Sequence, residues 1–192
     1  DGSAVVAKFY RPERWSDAQI QEEHDFAAEL MAAEVPVIGP LRLMDQTLHH
    51  FGGFCFSASP RRGGRPPELD DGEVLEWIGR FLARIHTVGA AKPFATRPRL
   101  DVQSFGVEPM QWLLEHDKLP LDVQSAWTKV CQNAIDTVAQ NSALTGASGL
   151  NDISDSGIKM LRLHGDCHPG NILWTPTSAA ALAGPGPHFV DL

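Results

Sequence analysis

The segment Leu161 to Trp174 constrains this 192-residue chain more than any other part of it. It reads Leu-Arg-Leu-His-Gly-Asp-Cys-His-Pro-Gly-Asn-Ile-Leu-Trp, so Asp166 lies five residues before Asn171 and a short apolar run lies on either side. A further apolar run, Phe189 to Leu192, contains a second carboxylate at Asp191. Short apolar runs bounded by glycine and proline predict strands joined by tight turns. We therefore expect a loop in which three oxygen-bearing side chains meet near the ends of neighbouring strands.

Two carboxylates and an amide in this order suit phosphoryl transfer to an alcohol. Asp166 would orient the attacking hydroxyl group and accept its proton, which requires a carboxylate within hydrogen-bonding reach. Asn171 and Asp191 would hold Mg²⁺, a hard cation that prefers oxygen ligands. Taken singly, each of the three residues is more often an ordinary turn or strand-end residue. Their joint spacing favours the functional interpretation.

The same loop contains two histidines and a thiol. We expect His164 to pack against the turn and brace it, and His168 to brace the loop or approach the phosphates. A zinc site built from these residues with Asp166 and Cys167 is disfavoured, because four ligands within five residues rarely surround one tetrahedral ion. We interpret Cys167 as an ordinary thiol, although a thiol beside a nucleotide could be oxidisable.

Lys8 is the only charged residue of the apolar run Ala4 to Tyr10, which predicts a strand. It could simply point outward from an edge strand. Alternatively, its ammonium group would lie over the α- and β-phosphates of a nucleotide and be held by a glutamate of the following helix. That helix is predicted from Ser16 or Asp17 to about Ala33, and its candidate glutamates are Glu22 and Glu23.

Residues 59–67, which read Ser-Pro-Arg-Arg-Gly-Gly-Arg-Pro-Pro, form the clearest linker. We predict an α+β chain in which residues 1–58 form a partial N-terminal lobe and residues 68–192 form a partial, helical C-terminal lobe. The main-chain atoms of Ala58, Ser59 and Arg61 are candidate contacts for an adenine base. A plain surface turn is equally compatible with these residues.

Further elements follow from hydrophobic periodicity and turn residues. Strands are predicted at Leu41–Met44, Gln46–His50 and Phe54–Ala58, with a turn at Gly52–Gly53. Helices are predicted from Asp70 or Asp71 to His86, at Met110–Glu115 and at Val123–Val138, a surface loop at Asn141–Gly157 and a hairpin tip at Thr175–Pro187. The first of these helices has an apolar stripe of Val74, Leu75, Ile78, Phe81, Leu82 and Ile85.

Composition narrows the function classes. The net charge of −8 argues against a nucleic-acid-binding surface but is compatible with a nucleotide bound through magnesium. Three cysteines without a Cys-x-x-Cys pair suggest reduced thiols, and no apolar run approaches the roughly 20 residues of a membrane helix. We expect a cytoplasmic protein with neither a nucleic-acid nor a membrane partner.

The chain resembles the bacterial stress response kinase A family, serine/threonine protein kinases with an aminoglycoside phosphotransferase-like fold. The resemblance covers essentially the whole chain, more loosely between Pro66 and Ile158. The matching segments are Lys8–Trp15, Glu22–His24, Glu34–Val37, Gly63–Arg65, Leu161–Trp174 and Phe189–Leu192.

The resemblance implies ATP- and Mg²⁺-dependent phosphorylation of serine or threonine in a protein, often the kinase itself, by a monomeric cytoplasmic enzyme of the stress response. It makes Asp166 the proton acceptor, gives Mg²⁺ to Asn171 and Asp191, and pairs Lys8 with Glu23, which we favour over Glu22. The implied two-lobe fold would be truncated at both ends, so the fragment alone could be inactive. A kinase of an aminoglycoside, choline or homoserine-like alcohol, or a silent nucleotide-binding fragment, is the alternative.

Overall fold

The computed structural model describes residues 2–144, 160–176 and 185–192, without the side chains of residues 142–144. The chain divides into two compact units, Asp1–Thr96 with Leu161–Leu192, and Arg97–Met160. All the predicted site residues lie in the first unit. The predicted linker at residues 59–67 also lies inside it, and the division into kinase lobes stays a prediction.

A three-stranded antiparallel sheet opens the first unit. Its strands are β1 (Val5–Tyr10), β2 (His49–Phe51) and β3 (Phe54–Pro60), in the order β1-β3-β2. β2 and β3 form a hairpin whose turn has positive φ at Gly52 and Gly53, a conformation that glycine adopts without steric cost. The predicted strands and turn are therefore present here, although β2 begins three residues later than expected.

The predicted strand Leu41–Met44 is wrong. Leu43 and Gln46 form one isolated bridge around a tight turn in which Met44 and Asp45 have φ of 48° and 61°. A chain that reverses within four residues has no room for a strand ladder. Periodicity missed the turn because Leu41, Leu43 and Met44 imitate a buried strand.

Two helices pack in the core of this unit. Helix α1 (Asp17–Ala32) begins at Ser16, whose side chain forms a capping box with Gln19. Helix α2 (Gly72–Gly89) is capped by Asp71. Both starts agree with the predicted caps. The core that the helices share with neighbouring segments contains Phe26, Ala27, Leu30, Val35, Val37, Val74, Ile78, Ile85, Ile172 and Phe189.

One member of the predicted stripe on α2 is exposed. Leu75 is 48% exposed although it follows buried Val74. Successive residues of a helix are rotated by about 100°, so a narrow buried face cannot include both of them. The buried side of α2 is therefore narrower than the run of apolar letters indicates.

Strands β4 (Ile172–Thr175) and β5 (Gly186–Phe189) form an antiparallel pair in which Ile172 lies opposite Phe189. Phe189 is completely buried, and its backbone exchanges hydrogen bonds with Pro36 and Ile38 beyond the end of α1. The apolar run Leu161–Leu163, which we expected to be a strand, is not one. Its backbone is fixed instead by a hydrogen bond from the Arg162 N–H to the Gly89 carbonyl.

The second unit is helical. A π-helical turn (Gln103–Val107) leads into α3 (Glu108–Glu115), and α4 spans Leu121–Leu144. Both predicted helices lie inside these bounds. The predicted loop Asn141–Gly157 is wrong at its start, which is still helical, and its remainder lies outside the described residues, as do residues 177–184 of the predicted hairpin tip. No described helix combines the length and apolarity needed to cross a membrane.

Candidate active site

Lys8 on β1 is held by two carboxylates from different parts of the chain. Its Nζ lies 3.0 Å from Glu23 Oε1 on α1 and 2.5 Å from Asp191 Oδ1, just after β5. Burial alone would lower the pKa of the Lys8 ammonium. The charge of Glu23 and the hydrogen bonds to Asp191 and Glu23 outweigh burial, so this pKa is raised. Lys8 is therefore a fixed cation at neutral pH.

Glu22 and Glu23 have separate tasks. Glu22 accepts hydrogen bonds from the backbone N–H of Ala95 at 2.6 Å and of Thr96 at 2.8 Å, and from the Thr96 hydroxyl at 2.6 Å. It therefore fixes the segment after α2 to α1. Glu23, one position further round the helix, faces Lys8 and is only 13% exposed. The structure places the favoured glutamate, and not its neighbour, at the lysine.

The loop that contains Asp166 is stabilised by short-range hydrogen bonds. Gly165 has φ of 85°, which reverses the chain immediately before Asp166. The Asp166 carbonyl accepts from the backbone N–H of His168 at 3.0 Å and from the Asn171 side-chain amide at 3.0 Å. The His168 ring accepts from the N–H of Gly170. The Asp166 carboxylate itself is 76% exposed, so it is available to a ligand.

Asn171 connects this loop with the strand end at Asp191. Its backbone carbonyl accepts the N–H of Val190 at 3.0 Å, which continues the pairing of β4 with β5. Because its amide nitrogen donates to Asp166, its amide oxygen is the atom left for a cation. Asp191 has φ of 61°, a strained conformation for a residue with a side chain. Strain of this kind concentrates at functional sites.

His164 lies two residues before Asp166. It is 5% exposed, packs edge-on against Phe189 at 6.2 Å between ring centroids, and neither ring nitrogen has a hydrogen bond of normal geometry. Burial lowers the pKa of His164, while backbone contacts, including Val190, and the charges of Asp166 and Asp191 oppose this shift. His164 thus joins the segment that leads into the loop of Asp166 to β5, the strand that leads to Asp191.

Arg162 is the functional-site neighbour that sequence reasoning missed. Its side chain is 2% exposed and its Nη2 lies 2.7 Å from Glu29 on α1. The guanidinium group stacks on Phe26 at 4.4 Å and donates to the Val88 carbonyl at 3.1 Å. Arg162 therefore ties the segment leading into the loop to the helix that carries Glu23. Its position between two leucines, in an apolar run, was the available signal.

The candidate adenine contacts are largely engaged in the sheet. The Arg61 N–H donates to the Ala4 carbonyl, and the Ala58 carbonyl accepts the N–H of Leu41. Ser59 pairs with Val6 across β1 and β3. The single N–H of Arg61 cannot donate to a base while this bond exists, whereas the Ala58 carbonyl keeps a second lone pair. Recognition of adenine by this segment stays a prediction, and it requires main-chain atoms other than the Arg61 N–H.

Two cavities in the described structure differ in size and in lining residues. A cavity of about 50 Å³ lies behind the ion pair and is lined by Lys8, Tyr10, Glu23 and His24 among others. It is too small for a nucleotide, whose pockets measure about 300 Å³ or more. A larger hollow, of about 590 Å³, runs along α4 and contains none of the predicted site residues.

Two further groups involve cysteines. Burial and the neighbouring Asp166 raise the pKa of the Cys167 thiol, which disfavours the reactive thiolate. Away from the loop, Asp17, His50 and Cys55 bring three ligand-type atoms within 4.8 Å of one another. Hydrogen bonds to the Asp17 carboxylate account for this second group, and it is largely exposed.

The donor atoms near Asp191 suit a hard divalent cation. The two predicted ligands, Asn171 and Asp191, bind a cation through an amide oxygen and a carboxylate oxygen. Asn171 directly precedes β4 and Asp191 follows β5, at adjoining ends of the two strands. The Asp191 carboxylate already binds a cation, the Lys8 ammonium. The residues therefore fit magnesium in charge and in donor type.

A fold of this kind, with a lysine–glutamate pair beside an Asp-x4-Asn loop, defines the kinase-like phosphotransferase class. The model of the phosphotransferase enzyme family (APH) matches residues 1–185. The chain belongs to this family, and its predicted fold class, α+β with kinase-like organisation, is confirmed.

Curated relatives carry the family name that the sequence resemblance predicted. Stress response kinase A of Salmonella typhi is 40% identical over 192 residues, and that of Escherichia coli (strain K12) is 38% identical. A relative from Salmonella typhimurium, 40% identical, is named serine/threonine protein kinase RdoA. Each match covers 100% of this chain but only 52% of the relative. The chain therefore spans about half the length of these relatives.

A solved structure supports the fold independently. The amicoumacin kinase hAmiN, in complex with AMP-PNP, Ca²⁺ and Ami, aligns with a TM-score of 0.65 at 18% sequence identity. The alignment covers 100% of this chain and 52% of that one. At this identity the likeness concerns the fold alone.

Proposed function

We propose that the protein to which this chain belongs transfers the γ-phosphoryl group of ATP, bound with Mg²⁺, to a serine or threonine hydroxyl of a protein, which can be the kinase itself. The observation that carries the proposal is the convergence of Glu23 and Asp191 on Lys8, beside the loop formed by Asp166 and Asn171. Catalysis of this reaction consists mainly of positioning and charge stabilisation.

Each residue has a defined task in this proposal. Lys8 holds the α- and β-phosphate oxygens, and Glu23 keeps its ammonium in place. Asn171 and Asp191 bind Mg²⁺, whose charge offsets that of the β- and γ-phosphates. Asp191, whose carboxylate contacts the Lys8 ammonium, would be the charged ligand of that ion. The exposed Asp166 carboxylate orients the acceptor hydroxyl and takes its proton.

The relatives' names and the fold neighbour bear on different parts of the proposal. A protein acceptor is supported by the relative named serine/threonine protein kinase RdoA. A nucleotide with a divalent ion is supported by the fold neighbour, which was solved with AMP-PNP and Ca²⁺. That neighbour is an amicoumacin kinase, so a small-molecule alcohol is the second candidate acceptor. The stress-response role and cytoplasmic location belong to the proposal as well.

Transfer of label from [γ-³²P]ATP tests the proposal in the longest available form of the protein. We expect Mg²⁺-dependent labelling of the protein itself or of a generic protein acceptor. Label found only on small alcohols would favour the second candidate. ATP binding without any transfer would leave a silent nucleotide-binding protein and contradict the proposal.

Adjacent glutamates on α1 provide a matched pair of variants. Glu23→Gln is expected to lower kcat substantially, whereas Glu22→Gln should leave kcat near the wild-type value and lower stability by about 1–3 kcal/mol through lost hydrogen bonds. Equal loss of kcat in both glutamate variants would contradict the assigned roles.

Asp166→Asn should lower kcat by roughly 10²- to 10⁴-fold, because the proton acceptor is lost.

A further inference from the structure

A buried hydrogen-bond network lies directly behind the ion pair of Lys8. The Tyr10 hydroxyl is 2.8 Å from His24 Nε2 and 3.2 Å from the Ser57 hydroxyl. His24 Nδ1 is 2.9 Å from the Thr47 hydroxyl. Tyr10 is 7% exposed, His24 4% and Ser57 3%. The network thus joins β1, α1 and β3 through buried groups and reaches the segment before β2 at the partly buried Thr47.

The network adjoins both partners of the ion pair. Tyr10 lies two residues after Lys8 and therefore on the same side of β1, and the Lys8 ammonium is 5.2 Å from the centre of its ring. His24 directly follows Glu23 on α1. The small cavity described above is lined by all four residues. No task in the proposed chemistry uses Tyr10 or His24.

The ion pair alone does not determine which residue of α1 faces β1. Lys8 is 38% exposed, and a partly solvated pair of two long side chains contributes little to stability. The buried face of α1, which includes Ile20, Phe26 and Leu30, sets the approximate rotation of the helix. Apolar contacts are non-directional, so they tolerate small rotations, and a small rotation is enough to move Glu23 away from Lys8. A directional, buried contact is needed to exclude such small rotations.

We propose that Tyr10 and His24 are positioning residues of the active site, whose hydrogen bond sets the rotation of α1 against β1 and so keeps Glu23 on Lys8. The proposal rests on the function proposed above. Rotation of α1 would break the buried hydrogen bond between the Tyr10 hydroxyl and His24 Nε2 and leave the hydroxyl with Ser57 as its remaining partner, which is unfavourable. The favoured orientation is therefore the one that keeps this bond.

The test compares two substitutions that each remove one hydroxyl group. Tyr10→Phe removes the contact with His24, whereas Ser57→Ala removes the other partner of the same hydroxyl and leaves the His24 contact intact. The first readout needs no turnover. The reactivity of the Lys8 amine towards an acylating reagent is measured against pH by mass spectrometry. We expect Tyr10→Phe to shift the midpoint to lower pH and Ser57→Ala to leave it in place.

The second readout is kinetic. Tyr10→Phe should lower kcat about tenfold, with Ser57→Ala near wild type. Since Tyr10 acts through Glu23, the double variant Tyr10→Phe/Glu23→Gln should be no slower than Glu23→Gln alone. If the effects of the two substitutions multiply, Tyr10 acts independently of the ion pair and the proposal is wrong. An unchanged Lys8 profile in Tyr10→Phe would overturn it as well.

A second pair of variants covers the case in which Tyr10→Phe does not fold. His24→Gln retains an amide that can meet the Tyr10 hydroxyl, and His24→Leu does not. We expect the Lys8 profile and kcat to be closer to wild type in His24→Gln; equal loss in both would refute the positioning role. If the wild-type protein transfers no phosphate, the proposed function fails, while the Lys8 reactivity still decides whether the network positions the pair.

Discussion

Two residues at this site, Asp191 and His164, have an energetically unfavourable backbone conformation or environment. Asp191 has φ of 61° and contacts Lys8, and His164 is buried without hydrogen bonds of normal geometry to its ring nitrogens. Both features cost stability. Their cost is offset by the surrounding core, in which Phe189 and Ile172 are almost completely buried. Asp191 supplies one carboxylate of the candidate site and His164 packs on the strand that precedes it, so both costs fall at this site.

The low pKa of His164 makes stability depend on pH. Since the folded-state pKa lies below that of the unfolded chain, near 6.5, the unfolded state binds the proton first as pH falls. The contribution of neutral His164 is complete above pH 6.5 and is lost at lower pH. We expect urea midpoints of the wild type to fall between pH 7 and pH 5, and those of His164→Asn to fall less. Parallel pH profiles would contradict this assignment.

The backbone of Asp191 provides a stability prediction separate from its carboxylate. Asp191→Ala and Asp191→Gly both remove the charge, but only alanine must hold a Cβ at positive φ. Alanine in that conformation is disfavoured by about 1–2 kcal/mol. Urea unfolding should therefore show the glycine variant to be the more stable of the two, with phosphoryl transfer lost in both. A less stable glycine variant would show that φ at this position relaxes.

At the scale of elements, α1 connects the two halves of the candidate site. Glu23 faces β1, while Glu29, six residues later, binds Arg162 in the segment that leads to Asp166. The carboxylate of Glu29 also meets Lys92 at 2.7 Å. The hydrogen bond from Arg162 is the main cause of the lowered pKa of Glu29. One helix thus contacts both Lys8 and the segment that leads to Asp166.

The two ends of this buried pair should respond unequally to substitution. Glu29→Gln leaves the Arg162 cation buried beside a neutral partner, which typically costs about 3–5 kcal/mol. In Arg162→Met, Glu29, which is 32% exposed in the wild type, keeps Lys92 as its partner, and methionine keeps an apolar stem beside Phe26, so the cost should be smaller. Free energies of unfolding at pH 7 test this order, and the reverse order would contradict it.

The same pair determines an acid sensitivity. Because the pKa of folded Glu29 is depressed, its stabilising contribution is present above the usual carboxyl value of 4.5 and is lost as pH falls through the folded-state pKa. The stability difference between the wild type and Glu29→Gln should accordingly shrink when the unfolding series is repeated at pH 3.5. A difference that persists unchanged would exclude the ionised carboxylate as its source.

At the scale of the whole molecule, nucleotide and metal should stabilise the fold together. A ligand at 100 times its Kd adds about 2.7 kcal/mol, or roughly 5–10 °C in Tm for a protein of this size. We expect this shift with ATP and Mg²⁺, and little of it with ATP and EDTA or in Asp191→Asn. An equal shift without Mg²⁺ would remove Asp191 from the metal site.

Sequence patterns predicted the local features well. The cap of α1 at Ser16, its buried face and the glycine turn of the β2–β3 hairpin all depend on neighbours within a few residues. Sequence patterns gave a wrong prediction at Leu161–Leu163, where a contact with a residue far away in sequence determines the structure. Leu161–Leu163 has strand composition but is held by Gly89 instead of a sheet partner, and a side chain at Gly89 would collide with the Arg162 carbonyl.

The order of residues by itself determined the chemical inventory: a lysine in an apolar run, adjacent acids on a capped helix, and an Asp-x4-Asn loop followed by Asp191. These patterns are short-range, and their spacing is visible in one dimension. Only the tertiary structure decided that Glu23 faces Lys8 while Glu22 binds residues 95 and 96, and that Arg162 is buried against Glu29. Those choices depend on how α1 is rotated against the sheet, which packing between segments far apart in sequence sets.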